Sequence, residues 1–146
     1  MLESPAKACF VTQITARMGD VDMHDRMYVS RFFEWSHQAF EDLMVAANDR
    51  LDKAFDEEGW GMPLVHAEAT VHQDAGFPET LKVELRVRKR GNRSLALTFR
   101  FLRGEDVHVA STELVHAFAP LDGLGEAIPF PSRLHGVLER MGLLEP

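Results

Sequence analysis

Three stretches in which apolar and polar residues alternate, separated by nothing longer than a tight turn, constrain this chain more than any other feature. Leu81, Val83, Leu85 and Val87 interleave with Lys82, Glu84, Arg86 and Arg88, and Leu95, Leu97, Phe99 and Phe101 repeat the pattern. Val107 to Phe118 adds a longer, less regular run. A period of two is that of a strand with one face buried and the other in water. Gly91-Asn92 and Gly104-Glu105 separate the runs as turns, so the three strands read as an antiparallel meander. Leu64 to Gln73 reads as a strand ahead of them, and Ala8 to Arg17, rich in β-branched and aromatic residues, as a first strand.

One helix interrupts this order. From Ser30 to Ala47 the apolar positions Phe32, Trp35, Ala39, Phe40, Leu43, Ala46 and Ala47 recur at three- and four-residue spacing, which marks one buried helical face. Ser30 is the N-cap candidate, and the helix would be roughly 25 Å long. Asn48 to Met62, acidic and punctuated by Gly59, Gly61 and then Pro63, predicts a short helical turn or loop. Ser132 to Met141, behind Pro129 and Pro131, reads as a short terminal helix. Helices do not alternate with strands here, which disfavours a doubly wound parallel sheet. The pattern favours an α+β fold, one helix packed on an antiparallel sheet.

A chain of 146 residues is about one domain. With 45% hydrophobic and 27% charged residues it belongs with neither disordered nor membrane-spanning chains. A net charge of -7 argues against nucleic acid as a partner, since binding to phosphate backbones is driven by Lys and Arg. Cys9, the only cysteine, excludes an internal disulfide framework and reads as a small apolar strand residue in a chain suited to a reducing compartment. Met1-Leu2-Glu3-Ser4-Pro5 lacks the basic start of a signal peptide, and no apolar run approaches the roughly 20 residues of a membrane helix. The expectation is a cytoplasmic protein without membrane contact.

The chemistry concentrates between the first strand and the helix. Gly19-Asp20-Val21-Asp22, leading through Tyr28-Val29-Ser30 into the helix, sets two carboxylates ahead of a helix N-terminus. Unpaired N–H groups at a helix start favour developing negative charge, and a nearby carboxylate can serve as nucleophile or general base. An acyl-transfer site needs both parts. Ordinary turn and capping duty is the competing reading for Asp20 and Asp22. Two sharper rivals fail on the residues. A calcium loop of the EF-hand type needs an acidic ligand twelve positions in, where this chain has Arg31, and Gly at the sixth, where it has Asp25. A phosphatase of the Asp-x-Asp type needs an apolar parallel strand before its aspartates, not Thr15-Ala16-Arg17. The seven histidines show no metal-ligand spacing, so neither a metal nor a cofactor is expected.

Gly19-Asp20-Val21-Asp22, followed by Tyr28 and by Phe32-Phe33-Glu34-Trp35, with Arg93-Ser94 after the later turn, resembles the signature of hotdog-fold acyl-CoA thioesterases of the 4-hydroxybenzoyl-CoA thioesterase type. The resemblance covers most of the chain. It implies a five- or six-stranded antiparallel sheet wrapped around the long helix, homodimers or homotetramers, and active sites at the subunit interface. It assigns Asp22 as the catalytic carboxylate and leaves Asp20 structural. The backbone N–H of Val29 would hold the thioester oxygen, Tyr28 would line the acyl pocket, and Arg93 and Ser94 would bind the coenzyme. The basic run Arg86, Arg88, Lys89, Arg90 and Arg93 suits phosphate chemically, although period-two alternation puts Arg86 and Arg88 on the solvated face. Several relatives carry His or Tyr where this chain has Val29, and many have Gly where it has Asp25. Those departures keep a non-catalytic acyl-binding protein in view beside a thioesterase, as well as a thioesterase acting on an acyl-carrier protein.

Overall fold

The computed structural model describes residues 8–123 and 125–144, so the leader reading of Met1–Pro5 lies outside the described residues. Strand β1 (Phe10–Ala16) leads through a single 3-10 turn (Met18–Asp20) and a loop into helix α1 (Val29–Ala46). Helix α2 (Leu51–Glu58) and the two-residue strand β2 (Trp60–Gly61) follow. Strands β3 (Leu64–Val71), β4 (Glu79–Arg90), β5 (Ser94–Arg103) and β6 (Val107–Ala117) come next, then the short β7 (Ala119–Pro120) and helix α3 (Ser132–Arg140).

The five long strands form one antiparallel sheet in the order β1-β4-β5-β6-β3, with β4, β5 and β6 as the expected meander. Alternation decides which face each residue takes. Leu81, Val83, Leu85 and Val87 are buried, as are Leu95, Leu97, Phe99 and Phe101. Against that face lies α1, which touches β1, β3, β4 and β6 and buries Phe32, Trp35, Ala39, Phe40, Leu43 and Met44. Phe32 packs edge-on against Phe101 at 5.1 Å and Trp35 at 5.4 Å, so the first turn of the helix is fixed to the sheet by aromatic contacts. Each such fully buried ring contributes about 1.5–3 kcal/mol of transfer free energy. The polar groups of the core are paired: the Ser36 hydroxyl donates to the Phe32 carbonyl at 2.7 Å and lies 2.6 Å from the Thr112 hydroxyl.

Several expectations are corrected. The helix begins one residue early, at Val29, with Tyr28 as a cap residue that offers no side-chain hydrogen bond; Ser30 sits inside the first turn and caps nothing. Cys9 precedes β1 and is half-buried. The expected strand Leu64 to Gln73 ends at Val71, and His72 falls beyond it, its ring 4.3 Å from that of His108 and tilted by 44°. The acidic stretch after α1 contains the two-turn helix α2, which buries only Ala54. A left-handed Gly59 (φ 71°) ends it. Arg133 of α3 holds this region through Asp49 (2.7 Å) and Glu57 (2.7 Å).

The sheet has two ends. At one end the β3–β4 connection and the β5–β6 turn meet, tied by an Arg103–Glu79 ion pair and by Arg103 Nη2 donating to the Asp74 carbonyl at 2.8 Å. The β4–β5 turn, residues 91–93, forms the other. The twelve residues of β4 separate them, roughly 35 Å at strand rise.

Candidate active site

The loop between β1 and α1 is a small hairpin folded on its own backbone. Val21 bridges Met27, the Asp22 N–H donates to the Arg26 carbonyl at 2.8 Å, and the Tyr28 N–H donates to the Asp20 carbonyl at 3.0 Å. Asp20 braces the base. Its Oδ2 accepts from the Arg17 N–H at 2.7 Å, and its Oδ1 lies 3.2 Å from Arg31 Nε in the first turn of α1. Asp22 stands two residues further along, opposite Arg26. Its Oδ1 accepts from the His24 N–H at 2.8 Å and the Arg26 N–H at 3.1 Å, while Oδ2 accepts no hydrogen bond among the described residues.

Those two N–H groups hold the Asp22 carboxyl below its usual range, Arg26 contributing most and His24 next. The anion therefore persists throughout the neutral range. It is half-buried and presents one uncommitted oxygen. Further along the same segment the helix start is open. Tyr28 and Val29 are exposed, and the N–H groups of Val29 and Ser30 meet no acceptor among the described residues. An ionised carboxylate and two unspent backbone donors thus share one short segment, which is what stabilising an oxyanion next to a nucleophile or base requires.

Asp25, the departure noted in the sequence, has a structural role. Its backbone adopts φ 57°, a left-handed conformation that a non-glycine residue takes at some cost. Its carboxylate turns away from Asp22 to accept the Phe77 N–H at 3.0 Å. Met27 N–H donates to the Ala75 carbonyl at 3.1 Å, and Arg26 lies 3.5 Å from Asp74. Gly76 is required at this contact, because a Cβ there would sit 2.6 Å from Asp25 Oδ2. The added charge is therefore spent on clamping the β1–α1 loop to the β3–β4 connection.

Arg93 and Ser94 lie elsewhere. Arg93 is exposed in the β4–β5 turn and Ser94 opens β5, so within one chain they occupy the end of the sheet opposite Asp22. Their basic neighbours are mostly engaged. Arg88 pairs with Glu113 at 2.6 Å and Arg86 with Glu84 at 3.1 Å, while Arg90 lies over the Phe130 ring at 4.1 Å.

Sequence reasoning passed over His116. It occupies an inward position of β6, the parity of Leu114 and Phe118, and that alternation was the available signal. It is 7% exposed and borders a groove of about 620 Å³ between α1 and the β3 edge, of which Asp22 is not a lining residue.

An antiparallel sheet curled around a central helix, with a carboxylate-bearing hairpin at that helix's start, defines a hotdog-fold protein. The chain belongs to the thioesterase-like superfamily, whose model matches residues 16–138, and this places it among thioester hydrolases. Solved structures agree on the fold. A 1,4-dihydroxy-2-naphthoyl-CoA thioesterase from Synechocystis superposes with a TM-score of 0.81 at 18% identity, covering 90% of this chain and 96% of the other. A 4-hydroxybenzoyl-CoA thioesterase variant complexed with 4-hydroxybenzoyl-CoA gives 0.79 at 19%, covering 88% and 97%. A Staphylococcus aureus protein in complex with CoA gives 0.82 at 11%, covering 99% and 90%. No curated protein matches the chain at a significant level. Among the described residues no helix is long and apolar enough to cross a membrane.

Proposed function

We propose that this protein hydrolyses acyl-CoA thioesters, with Asp22 as nucleophile or general base and the open start of α1 polarising the carbonyl. The observation that carries this reading is the pairing of an ionised Asp22, one oxygen uncommitted, with the unspent N–H groups of Val29 and Ser30. In the nucleophilic route Asp22 Oδ2 bonds to the carbonyl carbon, the C–S bond breaks, and the CoA thiolate leaves and is protonated. Water then hydrolyses the resulting anhydride. In the base route Asp22 takes a proton from water as the water attacks. Either way negative charge grows on the thioester oxygen, which the Val29 N–H would hold.

A homodimer completes the site. Strand β3 is a free edge, exposed along nearly its whole length, with Leu64 51%, Val65 60% and Val71 47% exposed. Such an edge is a template for pairing. Two copies paired antiparallel along β3 align the Val71 end of each with the Leu64 end of the other. That operation sets the Asp22 end of one subunit beside the Arg93–Ser94 end of its partner, uniting residues that a single chain holds roughly 35 Å apart. Arg93, unpaired among the described residues, is then available to a coenzyme phosphate, and Tyr28, 48% exposed, to the acyl group.

Free thiol release from a panel of aliphatic and aromatic acyl-CoA thioesters tests this. Asp22→Asn is expected to lower kcat by about 10²–10⁴ against the wild type. Undiminished turnover in Asp22→Asn would remove that residue from the mechanism, and a wild type inert to every thioester would favour an acyl-binding protein.

A further inference from the structure

The groove between α1 and the β3 edge has an apolar part from Phe33, Met62, Leu64 and Leu114, a polar rim from the α1 residues Glu34, His37, Gln38 and Glu41, and on its β6 side the buried His116. Its volume of about 620 Å³ suits a small organic group. His116 Nδ1 lies 3.1 Å from the Met62 carbonyl. A carbonyl only accepts, so Nδ1 carries the proton and donates. Burial opposes a second proton, holding the imidazole below its usual pKa. The ring is therefore neutral, with its Nε2 lone pair unspent. Among the described residues Nε2 is not one of the buried, unpartnered side-chain atoms, and His116 lines the groove.

A fixed, neutral hydrogen-bond acceptor beside the apolar side chains of Phe33, Met62, Leu64 and Leu114 discriminates between ligands that carry a donor and those that do not. Leaving it unpaired costs the complex, and filling it is rewarded. Charge narrows the choice further. Glu34 and Glu41 border the same groove; the cation nearest Glu34 is Arg31 at 2.8 Å, while Glu41 has only His37, at 3.2 Å. An acyl group ending in a carboxylate would meet two acids whose basic partners are already engaged. In the dimer proposed above this groove faces the partner's Asp22 end.

We propose that His116 is a specificity-determining residue, accepting a hydrogen bond at Nε2 from a hydroxyl on an uncharged acyl group lodged in the α1–β3 groove. The assignment rests on the thioesterase reading and adds a residue and a preference to it. Asp22 acts on the thioester; His116 acts only on the far end of the acyl group.

The test compares thioesters that differ by one hydroxyl, 4-hydroxybenzoyl-CoA against benzoyl-CoA and 6-hydroxyhexanoyl-CoA against hexanoyl-CoA, with adipoyl-CoA as the charged arm. In the wild type kcat/KM favours the hydroxylated member of at least one pair by about ten-fold or more, and adipoyl-CoA is the poorest aliphatic substrate. His116→Phe brings that ratio to near one. His116→Gln, whose amide can donate to the Met62 carbonyl and still offer an oxygen, keeps a preference for the hydroxyl and covers the case in which the Phe variant fails to fold. Asp22→Asn lowers both members equally and leaves the ratio alone. A wild-type ratio near one in both pairs, or a ratio unchanged in a folded His116→Phe, overturns the assignment. A wild type that hydrolyses nothing defeats the thioesterase reading instead. Calorimetric affinities for the free hydroxylated and unhydroxylated acids, wild type against His116→Phe, then decide the role of His116 by the same ratio.

Discussion

Gly76→Ala tests whether the clamp between the two loops is as tight as the coordinates make it. The new methyl would lie 2.6 Å from Asp25 Oδ2, 2.9 Å from its Cγ and 3.0 Å from its carbonyl oxygen. The carboxylate must swing aside, giving up its hydrogen bond from the Phe77 N–H at 3.0 Å, worth about 1 kcal/mol. The carbonyl oxygen belongs to the backbone and cannot rotate away, so the hairpin itself must shift, an overpacking cost of about 1–3 kcal/mol. A less flexible unfolded chain returns roughly 0.5 kcal/mol. The net loss is about 1.5–3.5 kcal/mol, a fall in Tm of roughly 5–10 °C for a domain of this size. Because the hairpin carries Asp22, activity falls with it. In an Asp25→Gly background the side-chain collision vanishes and glycine accepts the left-handed backbone, so the same substitution costs only about 1 kcal/mol. Thermal melts of the four proteins at one concentration measure the coupling, expected at about 0.5–2.5 kcal/mol. Effects that add to within about 0.5 kcal/mol would refute the clamp.

Phe101→Ala empties a fully buried site against Phe32 in the first turn of α1 and should cost about 3–5 kcal/mol by urea denaturation. The pH dependence separates two groups. Asp22, held below its ordinary value, stays charged from neutrality down past pH 4, so it adds no acid limb to kcat/KM between about pH 5 and 8. His116 acts on stability. Its folded pKa is depressed, so below about 6.5 the unfolded chain binds the proton more readily than the folded one, and stability falls with pH until the folded pKa is passed. His108 is depressed too, by burial and then by His72, and contributes with the same sign. Melts between pH 5 and 8 should therefore slope less in His116→Gln than in the wild type.

Period-two alternation made β4, β5 and β6 legible because one face of each is sealed by α1 and the other lies in water. The helix was legible for the reciprocal reason. Its start was misplaced because Ser30 has the chemistry of a cap, whereas Tyr28 ends the loop by pairing its backbone with Asp20 across the hairpin. Strands β2 and β7 are two residues each, too short to display a period, and pair across about sixty residues. Asp22, Tyr28 and Val29 could be proposed as site residues only through the family resemblance that the loop ahead of the helix carries. The task of Asp25 could not, since its partner Phe77 is distant in sequence, and the separation of Arg93 from Asp22 emerges only once β4 has a length and a direction.

Strand order also governs how the chain reaches this state. The β4–β5 and β5–β6 hairpins close over turns of three residues, Gly91–Arg93 and Gly104–Asp106. Strand β1 instead docks on β4 with Phe10 opposite Leu85, and β3 meets β6 with Leu64 opposite His116. Such remote pairings cost loop-closure entropy before any contact repays it, which places this topology among slow folders despite its long helix. The hairpin bearing Asp22 hangs between β1 and α1, so its geometry is assembled only when the most distant strand has come home.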